Sequence, residues 1–399
     1  MKKQNAITLI ALVITIVVLL ILAGISISAL TNQGLFEKAK EAKQKSEDAQ
    51  KNESAILENY LAQMNAIIFS NINKNETNPE AAMPKGAIVI EGDANKGIVI
   101  KDNNDNEWVW VEVPKTIYEK SVTETDYDEI YNALDTYATD YRKGSDKQNL
   151  NWKDEWYEGC GIETSQKYTE MYNKMLSSVF INGGFWISRY EIGDSTATLN
   201  NTTRTSDSGT KGTPVSKQNQ IPYNYVTCSQ AQNLSSGLST DSNKTSSLLF
   251  GIQWDLVCKF LEEKTDLTNT DINSDSTSWG NFKNSSLKLY RGKYNTTPDN
   301  STSEWISYVK NLETSSDVDY MQLLTTGASE QTNKMNIYDF AGNEWEWTLE
   351  HANSDARYLS AFRGGCFNSS GSSRPVSHRG NDNANDSIFY LSFRSTLYQ

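Results

Sequence analysis

Three regimes of apolar and polar positions follow one another along the chain. From Ala6 to Leu30, "AITLIALVITIVVLLILAGISISAL" carries no charge. As a helix rising about 1.5 Å per residue it would cross a hydrocarbon layer of roughly 30 Å, so it predicts one membrane span within residues 1–34. The run exceeds the apolar core of about 7–15 residues in a secretory signal, although small residues around Ser28 and Ala29 leave cleavage open. Next, "LFEKAKEAKQKSEDAQKNESAILENYLAQMNAII" lacks Pro and mixes charge signs at helical spacing, which predicts a stalk helix over residues 35–70. Its later half sets Ile56, Tyr60, Met64 and Ile67 on one face, expected to pack against the globular part or a neighbouring subunit; the plainer alternative is a solvated stalk with one sticky end. "NINKNETNPEAAMPKG" then breaks the helix with Asn, Pro84 and Gly86, which predicts a linker over residues 71–96.

From about Gly97 the periods become short and mixed. "GIVIKDNNDNEWVWVEVP" reads as two strands joined by an Asn/Asp turn, with Trp108 and Trp110 on one face and Val109, Val111 and Val113 on the other, both buried. A helical stretch around "SQKYTEMYNKMLSSVF" leads through Gly183 and Gly184 into the strand "FWISRYEIG", and "LLFGIQWDLVCKFLEEK" has helical periodicity. Long Ser/Thr/Asn-rich loops lie between. This irregular alternation predicts a loop-rich α+β domain over residues 97–399, without internal repeats. In "NEWEW", Trp345 and Trp347 share one face while Glu344 and Glu346 share the other. Acids so close to an aromatic core need partners, and Arg363 or Arg394 could supply them.

Composition narrows the function. A chain of 399 residues with 37% hydrophobic residues can bury a substantial core, and 50 acidic against 37 basic residues leave a net charge of −13. That field repels phosphates, so nucleic acid is not expected as a partner. Cys160, Cys228, Cys258 and Cys366 are far apart with no C-x-x-C, so no zinc site or redox pair is suggested, and their three possible pairings stay open. The only histidines are His351 and His378, and H-E-x-x-H, G-x-S-x-G and P-loop motifs are absent. A chance neighbour relation between Cys366 and His378 is commoner than a nucleophile with its base. No cofactor is expected and no metal site is assigned; Asp/Asn-rich loops suit a structural calcium ion, but no D-x-[DN]-x-[DN]-G loop is present.

The leader "MKKQN", a small residue and "ITLIALVITIVVLLILAGISI" running into a polar helix resemble the N-terminus of type IV prepilins and pseudopilins. The resemblance implies peptidase cleavage after Ala6, leaving Ile7 first, and pilus or pseudopilus subunits as partners. At the fifth mature position the family normally has Glu and this chain has Ala11, which leaves polymerisation open. Lys2 and Lys3 favour a cytoplasmic N-terminus, and Lys38, Lys40, Lys43 and Lys45 weaken that vote. The resemblance therefore decides the expected location: a single-pass protein of the bacterial cell membrane with its C-terminal domain outside.

Six phrases in order, "GFWISRYEIG", "TPVSKQNQIPYNYVTCSQAQ", "LLFGIQWDLVCKFL", "NIYDFAGNEWEWT", "FRGG" and a terminal "FR", resemble the formylglycine-generating-enzyme-like branch of the C-type lectin fold. The enzyme of that family needs two reactive cysteines shortly after its Arg-Gly-Gly motif; here those places fall near Ser369 and Arg374, so catalysis is not expected. Between Arg363-Gly364-Gly365 and Phe393-Arg394 the chain abounds in Ser and Asn, which resembles the variable region of diversity-generating retroelement target proteins. In that family, adenine-directed mutagenesis of Asn codons never yields Lys, Glu, Gln, Trp or Met, and the window 366–392 contains none of the five. The loop from Gly193 to Gly209 also lacks all five, so a merely polar loop can imitate the signal.

The resemblance implies a framework of Trp345, Trp347, Arg363, Gly364, Gly365 and Arg394 beneath a changeable surface, much as antibody loops mix Ser, Asn and Tyr on a rigid scaffold. The expected contact residues are Phe367, Asn368, Ser369, Ser370, Ser372, Ser373, Ser377, His378, Asn381, Asp382, Asn383, Asn385 and Asp386. The expected partner is an external protein or carbohydrate. Two alternatives are an exported oxidoreductase of the formylglycine-generating type and a structural minor pilin or adhesin of fixed specificity.

Overall fold

The computed structural model describes residues 15–21, 35–70, 72–144, 151–307, 322–352 and 358–399. Ala6, Ile7 and Ala11 lie outside them. The chain divides into two units, Met1–Ala66 and Ile67–Gln399. Among the described residues, no helix is long and apolar enough to cross a membrane. This overturns the expectation of a single-pass protein of the bacterial cell membrane.

The helix Leu35–Ser70 forms as its Ala/Glu/Lys/Gln composition requires, with Lys45 paired to Glu41 at 2.9 Å on its exposed surface. Ile56, Tyr60 and Ile67 are exposed. Phe69, near the helix end, is buried instead.

In the second unit, the segment read as a linker belongs to the core. Asn78 caps the short helix Pro79–Ala82, and the strand Ile88–Glu91 opens the largest sheet. Its Pro and Gly mark turns rather than a tether, because Ala82, Ala87 and Val89 between them are buried. The largest sheet has six strands, ordered Ile88–Glu91, Val99–Lys101, Glu107–Glu112, Gly184–Ser188, Ser395–Tyr398 and Thr245–Leu248. Every pairing in it is antiparallel. The turn before the third strand bends at Asp105 (φ 64°), and both faces of "EWVWVE" are buried, as the double apolar pattern predicts. The helix Ser165–Asn182, capped by Thr164 and ended by left-handed Gly183, delivers the chain into the central strand Gly184–Ser188.

A second, five-stranded sheet carries the C-terminal region. The strand Trp345–Ala352 lies between Ser360–Arg363, antiparallel, and Leu391–Phe393, parallel, and also pairs with Trp152–Lys153. Arg379–Asp382 pairs with Ser360–Arg363 at the edge. All eight residues of Trp345–Ala352 are buried, so it behaves as a central strand despite its acidic residues. Two three-stranded sheets complete the unit, which is thus a mixed α+β domain with several small sheets.

Candidate functional site

The C-terminal window is held from below by buried guanidinium groups. Residues Arg363 and Arg379 face each other across paired strands, and both side chains are fully buried. Like charges so placed repel unless shared acids intervene. Asp255, from the helix Gly251–Lys264, and Glu350, from the strand Trp345–Ala352, intervene. Arg363 Nη2 donates to Asp255 Oδ1 at 2.6 Å and to the Ser377 carbonyl at 3.1 Å, while its Nη1 donates to Glu350 Oε2 at 3.1 Å. Arg379 Nε donates to both Glu350 oxygens at 3.0 and 3.1 Å, and Nη2 donates to Asp255 Oδ2 at 2.6 Å. Arg142 adds a third cation, with Nη1 at 3.1 Å from Asp255 Oδ2 and 3.4 Å from Glu350 Oε1. Burial alone would raise the Glu350 carboxyl; Arg379, Arg363 and Arg142 outweigh it and hold it down at about 2.

A separate pair fixes the far end of the window. Arg394 Nε donates to both Glu346 oxygens at 3.1 Å, and its Nη1 and Nη2 donate to the Ser188 and Tyr338 carbonyls at 2.9 and 2.8 Å. One of the two expected acid partnerships therefore forms, while Arg363 takes Asp255 and Glu350 instead of Glu344. Glu344 has no cation within ion-pairing distance among the described residues: Oε1 accepts from Asn224 Nδ2 at 3.1 Å and Oε2 is buried without a partner. Burial pushes its carboxyl well above the usual range; the Asn224 hydrogen bond opposes this, and Glu346 adds to it. The fold therefore favours the protonated form of Glu344.

Above this frame the window makes two excursions. The first turns at Gly364 and Gly365, both at positive φ (97° and 75°); a Cβ on Gly365 would lie 2.5 Å from the Arg374 carbonyl oxygen and from the Phe282 ring. Its loop is pinned to the segment 276–284: Ser369 and Gly371 carbonyls accept from Lys283 and Ser276 amides, and Asn284 Oδ1 accepts from the Gly371 amide at 3.0 Å. The second runs from Asp382 to Tyr390. Asn381 Nδ2 donates to the Tyr358 carbonyl at 2.8 Å, and Asn224 Nδ2 donates to the Phe389 carbonyl at 2.7 Å.

The expected contact residues divide by depth. Ser372, Ser373 and Asn385 are exposed, with Arg374, which the sequence reading did not single out, beside them. Asn368, Ser369, Ser370, Asn381, Asp382, Asn383 and Asp386 are half-buried. Phe367, Ser377 and His378 are buried and support the surface rather than form it. Phe367 packs in a small cluster with Ala197, Ile221, Trp305 and Leu323, against Phe389 and Tyr390. His378 Nε2 lies 2.7 Å from Arg374 Nη1, and its ring packs on Trp345. The framework residues Trp345, Trp347, Arg363, Gly364, Gly365 and Arg394 are all buried. Burial raises the Asp382 carboxyl to about 6, and its hydrogen bond with Asp386 adds to the rise.

All four cysteines are free and buried. Burial pushes the Cys366 thiol up to about 12, and its Sγ donates to Asn368 Oδ1 at 2.9 Å, so it is a small core residue rather than a nucleophile. Among the described residues no group of three His, Cys, Asp or Glu side chains is placed to hold a metal ion. Sequence reasoning missed Arg142, Asp255, Glu350 and Arg379. Glu350 sits four residues beyond Glu346 on the same strand, which was the available signal; the others join only through the fold.

No family model and no curated protein matches the chain. Among solved structures it is similar to CarF, at 12% identity and a TM-score of 0.32, covering 54% of this chain and 86% of that one. It is also similar to Treponema denticola variable protein 1, at 16% identity and a TM-score of 0.29, covering 54% of this chain and 85% of that one. At such scores these likenesses carry no argument, and the functional reading rests on the geometry above.

Proposed function

We propose that this chain is a ligand-binding protein in which a C-type-lectin-like domain presents residues 366–392 as a diversified recognition surface, of the kind used by retroelement-diversified variable proteins. The observation that carries the reading is the separation of depth within one short window. Fully buried Arg363, Arg379 and Arg394 fix the backbone from beneath, while small polar side chains at Ser372, Ser373 and Asn385 face outward. Such an arrangement lets surface residues change without disturbing packing. Its ligand is an external protein or carbohydrate. No catalytic role is assigned, because the one thiol in the window is protonated and enclosed.

The test is to sequence the flanking DNA for a reverse transcriptase and a near-copy of the codons for residues 363–399 whose differences fall only at adenines of the copy. Absence of both leaves a binder of fixed specificity. A stability comparison checks the layering separately. Replacing Ser372, Ser373 or Asn385 with Ala should shift unfolding free energy by under about 0.5 kcal/mol each. Phe367→Ala, which empties a site only 1% exposed, should cost about 3–5 kcal/mol by urea unfolding.

A further inference from the structure

A second cleft, of about 320 Å³, opens among three segments that lie outside residues 366–392. Tyr127, Asp128 and Tyr131 come from the helix Tyr127–Tyr137, while Tyr172, Asn173 and Leu176 come from Ser165–Asn182. Residues Trp152 to Glu155 form the remaining wall. The walls are rigid. Trp152 is paired in the sheet with Ala352, Tyr172 stacks on Tyr168 and meets Phe250 edge-on, and Asp154 accepts from the Gly251 and Ile252 amides at 2.5 and 3.0 Å. Tyr131 Oη is occupied, receiving a hydrogen bond from Arg142 Nη2 at 3.2 Å and donating to Asp135.

Four aromatic side chains therefore line a space the size of a small organic molecule. Among the described residues, the ionisable groups lining it are Asp128, Asp154, Glu155 and Lys153; Lys153 is 3.4 Å from Glu155, and Arg142 Nη1, behind the wall, is 3.8 Å from Asp154 Oδ2. With these two pairs formed, Asp128 leaves the cleft with a net negative charge, and Asp128 and Glu155 stand exposed at the rim. Aromatic faces attract cations through the ring quadrupole, and an acidic rim in a concave site raises the local cation concentration. A neutral or anionic guest of equal size would gain neither term.

We propose that this cleft binds a small organic cation of the quaternary-ammonium class. Recognition divides between aromatic contact from Tyr127, Tyr131, Trp152 and Tyr172 and long-range attraction from Asp128 and Glu155. None of its lining residues lies within 366–392.

Calorimetric titration of the full chain with choline, and with 3,3-dimethylbutan-1-ol as the neutral isostere, tests this directly. Choline should bind at least tenfold more tightly than the alcohol, and raising salt should weaken choline alone. The double variant Asp128→Asn/Glu155→Gln, which changes exposed side chains, should lower choline affinity at least fivefold without altering the circular dichroism spectrum. Trp152→Ala should abolish binding. Absence of choline binding, equal binding of the alcohol, or an unchanged affinity in the double variant would each overturn the assignment.

Discussion

Asp255→Ala should destabilise the protein by about 3–5 kcal/mol, a large part of the roughly 5–15 kcal/mol that holds an ordinary domain together. Removing this one carboxylate takes the partner at 2.6 Å from both Arg363 and Arg379 and the one at 3.1 Å from Arg142. Glu350 and Asp154 then face three buried cations, and no water reaches side chains that are 0% exposed at both Arg363 and Arg379. Urea unfolding at pH 7 measures the loss; a change under about 1 kcal/mol would show that the cluster adds nothing to stability. Replacing both members of the pair, as Asp255→Leu with Arg363→Met, should recover much of the loss, because a well-packed apolar pair needs no compensating charge. The difference between single and double variants reports the coupling.

The second large effect is a stability that falls from mildly acidic to alkaline pH. Glu344 and Glu191 are buried, and burial raises both carboxyls well above their ordinary 4.5. An acid with a raised value in the fold holds a proton that the unfolded chain has already released, so stability falls as pH climbs above about 4.5. Glu350 acts oppositely: held at about 2, its contribution is complete above 4.5 and is lost as pH falls toward 2. The urea midpoint should therefore peak near pH 5 and decline on both sides. Glu344→Gln keeps the shape and removes the titration. It should raise the urea midpoint over that of the unsubstituted chain at pH 8 and change it little at pH 5. Equal effects at the two pH values would mean that Glu344 carries its charge in the fold.

The local part of this architecture was legible in the sequence because local signals carry it. Alternation in "EWVWVE" and the Thr and Gly boundaries around Ser165–Asn182 each act within a few residues, and those elements appear where the pattern placed them. The apolar N-terminal run was read by length alone, and the described helical residues do not span a membrane. In the second unit, the linker reading failed because Pro84 and Gly86 were weighed above the buried alternation of Ala87 and Val89. The candidate surface was located by family resemblance and by its place near the C-terminus, and neither says which residue of a polar stretch turns inward. Ser377 and Ser373 look alike in the sequence; pairing of the next strand buries one, and the loop exposes the other. Arg379 shows the limit most clearly, since its partners are 29 and 124 positions away.

The facing arginines also tie the C-terminal hairpin to the rest of the fold. Strands Ser360–Arg363 and Arg379–Asp382 are close in sequence and would ordinarily pair early, yet their register sets one guanidinium against the other. Glu350, on the neighbouring strand, bridges both guanidiniums, and Asp255, brought by the helix Gly251–Lys264 from over a hundred residues upstream, completes the pairing. The hairpin thus draws part of its stability from a distant helix, and the outward loops rest on a footing that lies outside the window itself.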